Sequence, residues 1–128
     1  MTIQIISFGF KYGQPADAQL QFDVRCLPNP YYIPELRPLS GLDDAVYDYV
    51  MSYADSRQYL RAMQDLVAMT ARLRLAQQKE EDLVVYVGCT GGRHRSVTLA
   101  RALTAELTAA GFACRLHHRQ LDAEGAAE

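Results

Sequence analysis

Five consecutive apolar residues, Leu83-Val84-Val85-Tyr86-Val87, run directly into Gly88-Cys89-Thr90-Gly91-Gly92. No other stretch constrains the fold as much. A strand that is apolar at every position has both faces buried, which is the habit of parallel sheets. The pattern then changes to a helical period from about His94 to Ala110. Val97, Ala100, Leu103 and Leu107 fall on one side, and Gly111 supplies the stop. Ala113 to Gln120 reads as a further strand. A strand–helix–strand unit of this kind closes as a right-handed crossover between parallel strands.

The upstream sequence supplies the rest of an α/β layer. Ile3 to Phe8 reads as a strand ended by Gly9, and Gln21 to Leu27 as a second, with Phe22, Val24 and Cys26 alternating against Asp23 and Arg25. Four of the five prolines punctuate the segment from Pro28 to Pro38, which therefore reads as a long loop. Asp43 is placed to cap a helix from Asp44 to about Tyr53. A longer helix from Ser56 to about Lys79 has Tyr59, Leu60, Met63, Leu66, Val67, Thr70 and Leu73 at helical spacing, all read as core. The order is β-β-α-α-β-α-β: a small, mainly parallel four-stranded sheet with helices packed on it. With 128 residues the chain is expected to form one domain over residues 1–122. Residues 123–128 read as a frayed acidic tail.

Composition limits the function classes. About half the residues are apolar and 22% are charged, an ordinary globular mix. No apolar run reaches the roughly 18 residues of a membrane span. Met1 to Gln4 enters a strand with no basic leader, so a cytoplasmic protein is expected. Cys26, Cys89 and Cys114 are too widely spaced for a disulfide framework or a CxxC pair, and no metal and no cofactor is expected. The net charge is −2 but unevenly spread. Residues 83–120 hold five arginines against Glu106 alone, a local balance of +4, leaving −6 for the remainder. An anionic partner would be drawn to the basic segment.

The turn Gly88–Ser96 carries the chemistry. A glycine-rich link from a strand to a helix points several backbone N–H groups at one spot, where the helix dipole adds about half a positive charge. Gly91 and Gly92 allow positive φ and close approach. Arg93, His94 and Arg95 add charged donors, Thr90 and Ser96 hydroxyls. The residues point to an anion site. No GxxxxGK[ST] or GxGxxG is present, so P-loop nucleotide hydrolysis has no support. The spacing Cys89-x-x-Gly92-x-x-Arg95-Ser96 resembles the signature loop of cysteine-dependent phosphatases. There Cys89 would be the nucleophile and Arg95 the phosphate clamp. Those enzymes usually carry histidine where this chain has Gly88, and they need an aspartic acid, for which Asp23 and Asp43 are the candidates.

Several motifs occur in order: Ser7-Phe-Gly-Phe-Lys-Tyr-Gly13, Phe22-Asp-Val-Arg25, Leu27-Pro-Asn-Pro30, Leu36-Arg-Pro38, Ser40-Gly-Leu-Asp43, Gly88 to Val97, and His118-Arg119. Together they resemble the C-terminal domain of the RapZ family, the RNase adapter and nucleotide-binding proteins of bacteria, over about Ile3 to Asp122. The resemblance implies a self-associating α/β regulatory domain with a phosphate or phosphosugar pocket at this loop. In the enterobacterial branch it implies small-RNA binding and a response to glucosamine-6-phosphate. Carried over, Cys89, Thr90, Gly91, His94 and Arg95 line the pocket, with Asn29 and Tyr31 approaching from the proline-rich loop. The family often has histidine at the position of Tyr31. Arg115, His118 and Arg119 are the residues an RNA would meet. Asp122, Glu124 and Glu128 stand where RNA-binding members carry basic residues. The family's N-terminal P-loop domain has no counterpart here, so a stand-alone domain is expected. The functional expectation is a sensor or adaptor for a phosphorylated small molecule, with a small-RNA adaptor and a phosphatase as alternatives.

Overall fold

The computed structural model describes residues 1–127, with side chains placed as far as Glu124; Glu128 lies outside the described residues. Four strands form one sheet in the order β2-β3-β1-β4, and every pair is parallel. β1 (Ile3–Gly9) lies between β3 (Leu83–Cys89) and β4 (Cys114–His118), in register from Ile3↔Leu83 to Gly9↔Cys89 on one side. β2 (Leu20–Asp23) forms the edge beyond β3.

One face of the sheet carries the main core. Ile3 and Ile5 of β1 and Leu83, Val85 and Val87 of β3 pack with residues from two helices. These are Met63, Val67 and Ala71 of α2 (Ala54–Ala76) and Leu99, Leu103 and Leu107 of α3 (Arg95–Ala109). α1 (Asp44–Met51) adds Val46 and Val50, both fully buried. Each of the valine, leucine, isoleucine and methionine side chains contributes about 1.5–3 kcal/mol by leaving water. On the opposite face Phe8 meets Phe10 and Tyr86 edge-on, and the Tyr86 hydroxyl donates to Asp17 at 2.8 Å. Among the described residues no helix is long and apolar enough to cross a membrane.

Several sequence expectations change. The second strand, expected to reach Leu27, stops at Asp23. Val24 still donates to Gly88, but the Asp23 carboxylate captures the Arg25 N–H at 3.0 Å and turns the chain out of the sheet. The last strand, expected to reach Gln120, ends at His118, and α4 (Arg119–Ala127) follows, taking in residues 123–127 of the segment expected to fray, while Glu128 lies outside the described residues. Gln120 anchors that helix by accepting the Gly9 N–H through its side-chain oxygen. Leu66 and Leu73, expected in the core, lie on the outside of α2 at 45% and 53% exposure. Asp43 occupies the N-cap position of α1, but its carboxylate accepts from Ser40 N at 2.8 Å rather than from the helix.

Candidate anion-binding site

Because all strands are parallel, their carboxyl ends share one edge, where ligands of open α/β sheets bind. Three loops meet there. The turn after β1 brings Lys11 and Tyr12, the loop after β2 brings Asn29, Tyr31, Tyr32 and Arg37, and the turn after β3 brings Cys89 to Arg95. They enclose a cavity of about 400 Å³. Four cations line it (Lys11, Arg37, Arg93 and Arg95), and among the described residues no carboxylate does.

The glycines of the turn divide the work unequally. Gly92 has φ +74°, and a Cβ there would come within 2.6 Å of Gly9 N. It lets β1 and the turn touch, and it is not one of the residues that line the cavity. Gly91, expected to share that role, has no positive φ; a Cβ there would meet nothing within 4 Å, and the residue opens onto the cavity. Gly88 cannot be histidine in this setting, since even a Cβ would strike the Phe8 and Phe10 rings at 2.6 Å.

Arg95 opens α3. It is 5% exposed, and its Nη1 donates to the carbonyls of Arg25 at 2.6 Å and Leu27 at 3.3 Å. Its Nε–H is buried and has no partner among the described residues. A buried guanidinium donor without an acceptor is costly, and an anion would remove that cost. The N-terminus of α3 carries no side-chain cap either, so no N-cap side chain answers its first N–H groups. Arg93 is ion-paired with Glu124 of α4. Arg37 donates from Nε to the Tyr31 carbonyl at 2.7 Å, and its guanidinium stacks on the Tyr31 ring at 4.8 Å.

Other predicted residues behave differently. The sequence expectation of a charged donor at His94 does not hold. The residue is buried, its Nε2–H donates to the Arg37 carbonyl at 3.2 Å, and burial holds its pKa below the usual 6.5. It is therefore a neutral wall of the cavity. Ser96 is fully buried and does not line the cavity; its Oγ accepts from the Cys89 thiol at 3.1 Å. Asn29 lines the cavity while its Oδ1 caps the Pro30–Tyr32 turn through Tyr31 N. Thr90 and Tyr31 are exposed on the cavity wall. The Asp23 carboxylate is held by Arg25 at 2.7 Å, and that pairing keeps its pKa below the ordinary carboxylate range.

The three residues expected to meet RNA are not gathered into one surface. His118 is buried and its Nδ1 bonds Ser7 Oγ at 2.7 Å, so a polymer outside cannot reach it. Arg119 donates to the Gly13 carbonyl at 3.0 Å and steadies the turn that carries Lys11. Arg115 is exposed on β4. Tyr32 and Arg37 are cavity residues that the sequence reading did not single out. The concentration of prolines around them was the available signal.

A sequence model of the RapZ C-terminal domain matches residues 1–122. A nucleotide-binding protein of Thermoanaerobacter sp. (strain X514) is 48% identical over 97% of this chain and 43% of its own length. Similar proteins, also named nucleotide-binding protein, occur in Carboxydothermus hydrogenoformans (47% identical, 95% of this chain, 42% of the relative) and Clostridium perfringens (43%, 95% and 41%). The chain thus spans about two fifths of the length of these curated relatives.

Proposed function

Since the chain belongs to the RapZ C-terminal domain family, we propose that it is a self-associating sensor or adaptor domain that binds a phosphorylated small molecule at the carboxyl edge of the sheet. The observation that carries the reading is the Nε–H of buried Arg95, unpartnered among the described residues, beside a cavity that they line with four cations and no carboxylate. The phosphate would sit over Gly91, where there is open space, against Arg95 and the first turn of α3. Tyr31 and Tyr32 would cover the organic part. A cavity of about 400 Å³ accommodates a sugar phosphate, and glucosamine-6-phosphate is the first ligand to try because of the family resemblance. The setting is that of the cytoplasm, where such metabolites occur.

One contact favours a second reading. The bond between Cys89 Sγ and Ser96 Oγ, with Arg95 six residues after the cysteine, is an arrangement a thiol nucleophile could use. Against it, Cys89 is 2% exposed and Asp23 is already engaged by Arg25. Melting temperature against phosphate, glucosamine-6-phosphate, other sugar phosphates and ATP tests the sensor reading. A ligand at a hundred times its dissociation constant adds about 2.7 kcal/mol, which for a domain of this size is a rise of roughly 8–16 °C if each kcal/mol moves the midpoint by about 3–6 °C. A rise with one sugar phosphate, and no phosphate released from it, is expected. No rise with any ligand would contradict the site, and turnover lost in Cys89→Ser would favour the enzyme.

A further inference from the structure

α2 carries two apolar stripes, and the fold uses one. Met63, Val67 and Ala71 point inward at 0–1% exposure. On the opposite side Ala62, Leu66, Met69, Leu73 and Ala76 follow one another at steps of four, three, four and three residues. All five are exposed, with Leu66, Met69 and Leu73 at 45–53%. Alternating steps of four and three form the seam of a two-stranded helical pair. A run of large apolar side chains on one exposed face marks an interaction surface.

The charges beside the seam identify the occupant. Asp65 and Arg72 are exposed, lie one heptad apart on the same flank, and make no ion pair among the described residues. We propose that the outer face of α2 is the surface through which two copies of this chain associate, as an antiparallel helix pair about a two-fold axis between Val67 and Ala68. In that register Leu66 of each copy packs on Met69 of the other, and Ala62 on Leu73. Asp65 of each copy then faces Arg72 of the other, so both charges are used twice. A slip of one heptad would set Arg72 against Arg72. A parallel pair would face Asp65 with Thr70 and Arg72 with Gln77, leaving both charges unmatched. Only the antiparallel register satisfies the flank, and the repulsion in its neighbour fixes it. The proposal rests on the self-association included in the proposed function and assigns it to one face, remote in sequence from the anion site.

Sedimentation velocity across micromolar to millimolar concentrations tests it. The wild-type mass should rise toward twice that of one chain. Asp65→Arg alone and Arg72→Asp alone should each remain monomeric over the same range, and an equimolar mixture of the two should regain the dimer. Leu66→Glu should also be monomeric while keeping the wild-type melting temperature and phosphate response, which separates loss of the seam from loss of the fold. A wild-type protein that is monomeric throughout would overturn both the self-association and this surface. An oligomer indifferent to all three substitutions would overturn the surface alone. Charge-reversed monomers that fail to pair on mixing would overturn the register.

Discussion

At the amino end of the sheet, Asp82 accepts the Thr2 N–H at 3.1 Å and the Gln4 side-chain amide at 2.9 Å, and Gln19 both accepts from and donates to Val84. At the carboxyl end, Arg95 holds a buried Nε–H that nothing among the described residues accepts. The amino end joins its elements through turns that answer their own polar groups. The carboxyl end is built from longer loops that bring cations together. Ser56, Arg74, Thr98 and His118 also hold buried polar atoms without a partner among the described residues, but of the five only Arg95 lines the cavity. The coincidence of an unanswered buried donor with a cation-lined cavity, found only at the carboxyl end among the described residues, points to the site without reference to any relative.

The largest effect that would break this contrast is at Arg95. Arg95→Ala should weaken phosphate or sugar-phosphate binding by more than tenfold, given about 1.5–3 kcal/mol for a hydrogen bond to a charged group. Arg95→Lys keeps the charge but removes the Nε donor, and should fall between alanine and wild type. Calorimetric titration of the three proteins reads the order. Equal affinities would place the ligand elsewhere.

The two glycines sharpen the contrast between scaffold and site. Gly92→Ala forces a Cβ to within 2.6 Å of Gly9 N at φ +74°, and should cost about 1–3 kcal/mol of stability, read by thermal or denaturant unfolding. Gly91→Ala meets nothing within 4 Å. It should leave the unliganded melting temperature nearly unchanged and reduce ligand affinity by intruding on the cavity.

The smallest expected effect is on pH. Burial holds His94 and His118 below the usual imidazole pKa of 6.5, with Asp122 opposing that shift at His118 and Arg101 and His117 adding to it. The unfolded chain then takes up protons before the folded one. Stability from these groups is complete above about pH 6.5 and declines as pH falls below it. The melting temperature should drop between pH 7 and pH 5, and His118→Gln should flatten part of the slope. A melting temperature that rises on acidification over that interval would contradict the neutral imidazoles.

Much of this was readable from the sequence for identifiable reasons. The apolar run from Leu83, the glycines and the periodic helix after them are local signals, and the parallel strand, the turn and α3 formed as expected. The sheet is parallel throughout, and the main helices differ from expectation only at their ends. What was not readable depends on contacts distant in sequence. His94 loses its charge because elements distant in sequence bury it, and the carbonyl of Arg37, 57 residues earlier, opposes that shift without cancelling it. Ser96 leaves the site because it bonds Cys89 instead. α4 follows β4 at once and is fastened through Gln120 to Gly9, a partner 111 residues away. Leu66 and Leu73 keep the helical period as well as Met63 and Val67 do, and periodicity alone does not say which of two stripes faces inward.

The most direct test of the central claim is an NMR titration that follows the side-chain Nε–H resonance of Arg95 as phosphate or glucosamine-6-phosphate is added. Gain of an acceptor should move that resonance downfield in step with ligand occupancy. If the ligand binds and the Arg95 Nε–H resonance stays where it is, the site described here is not where the phosphate is held.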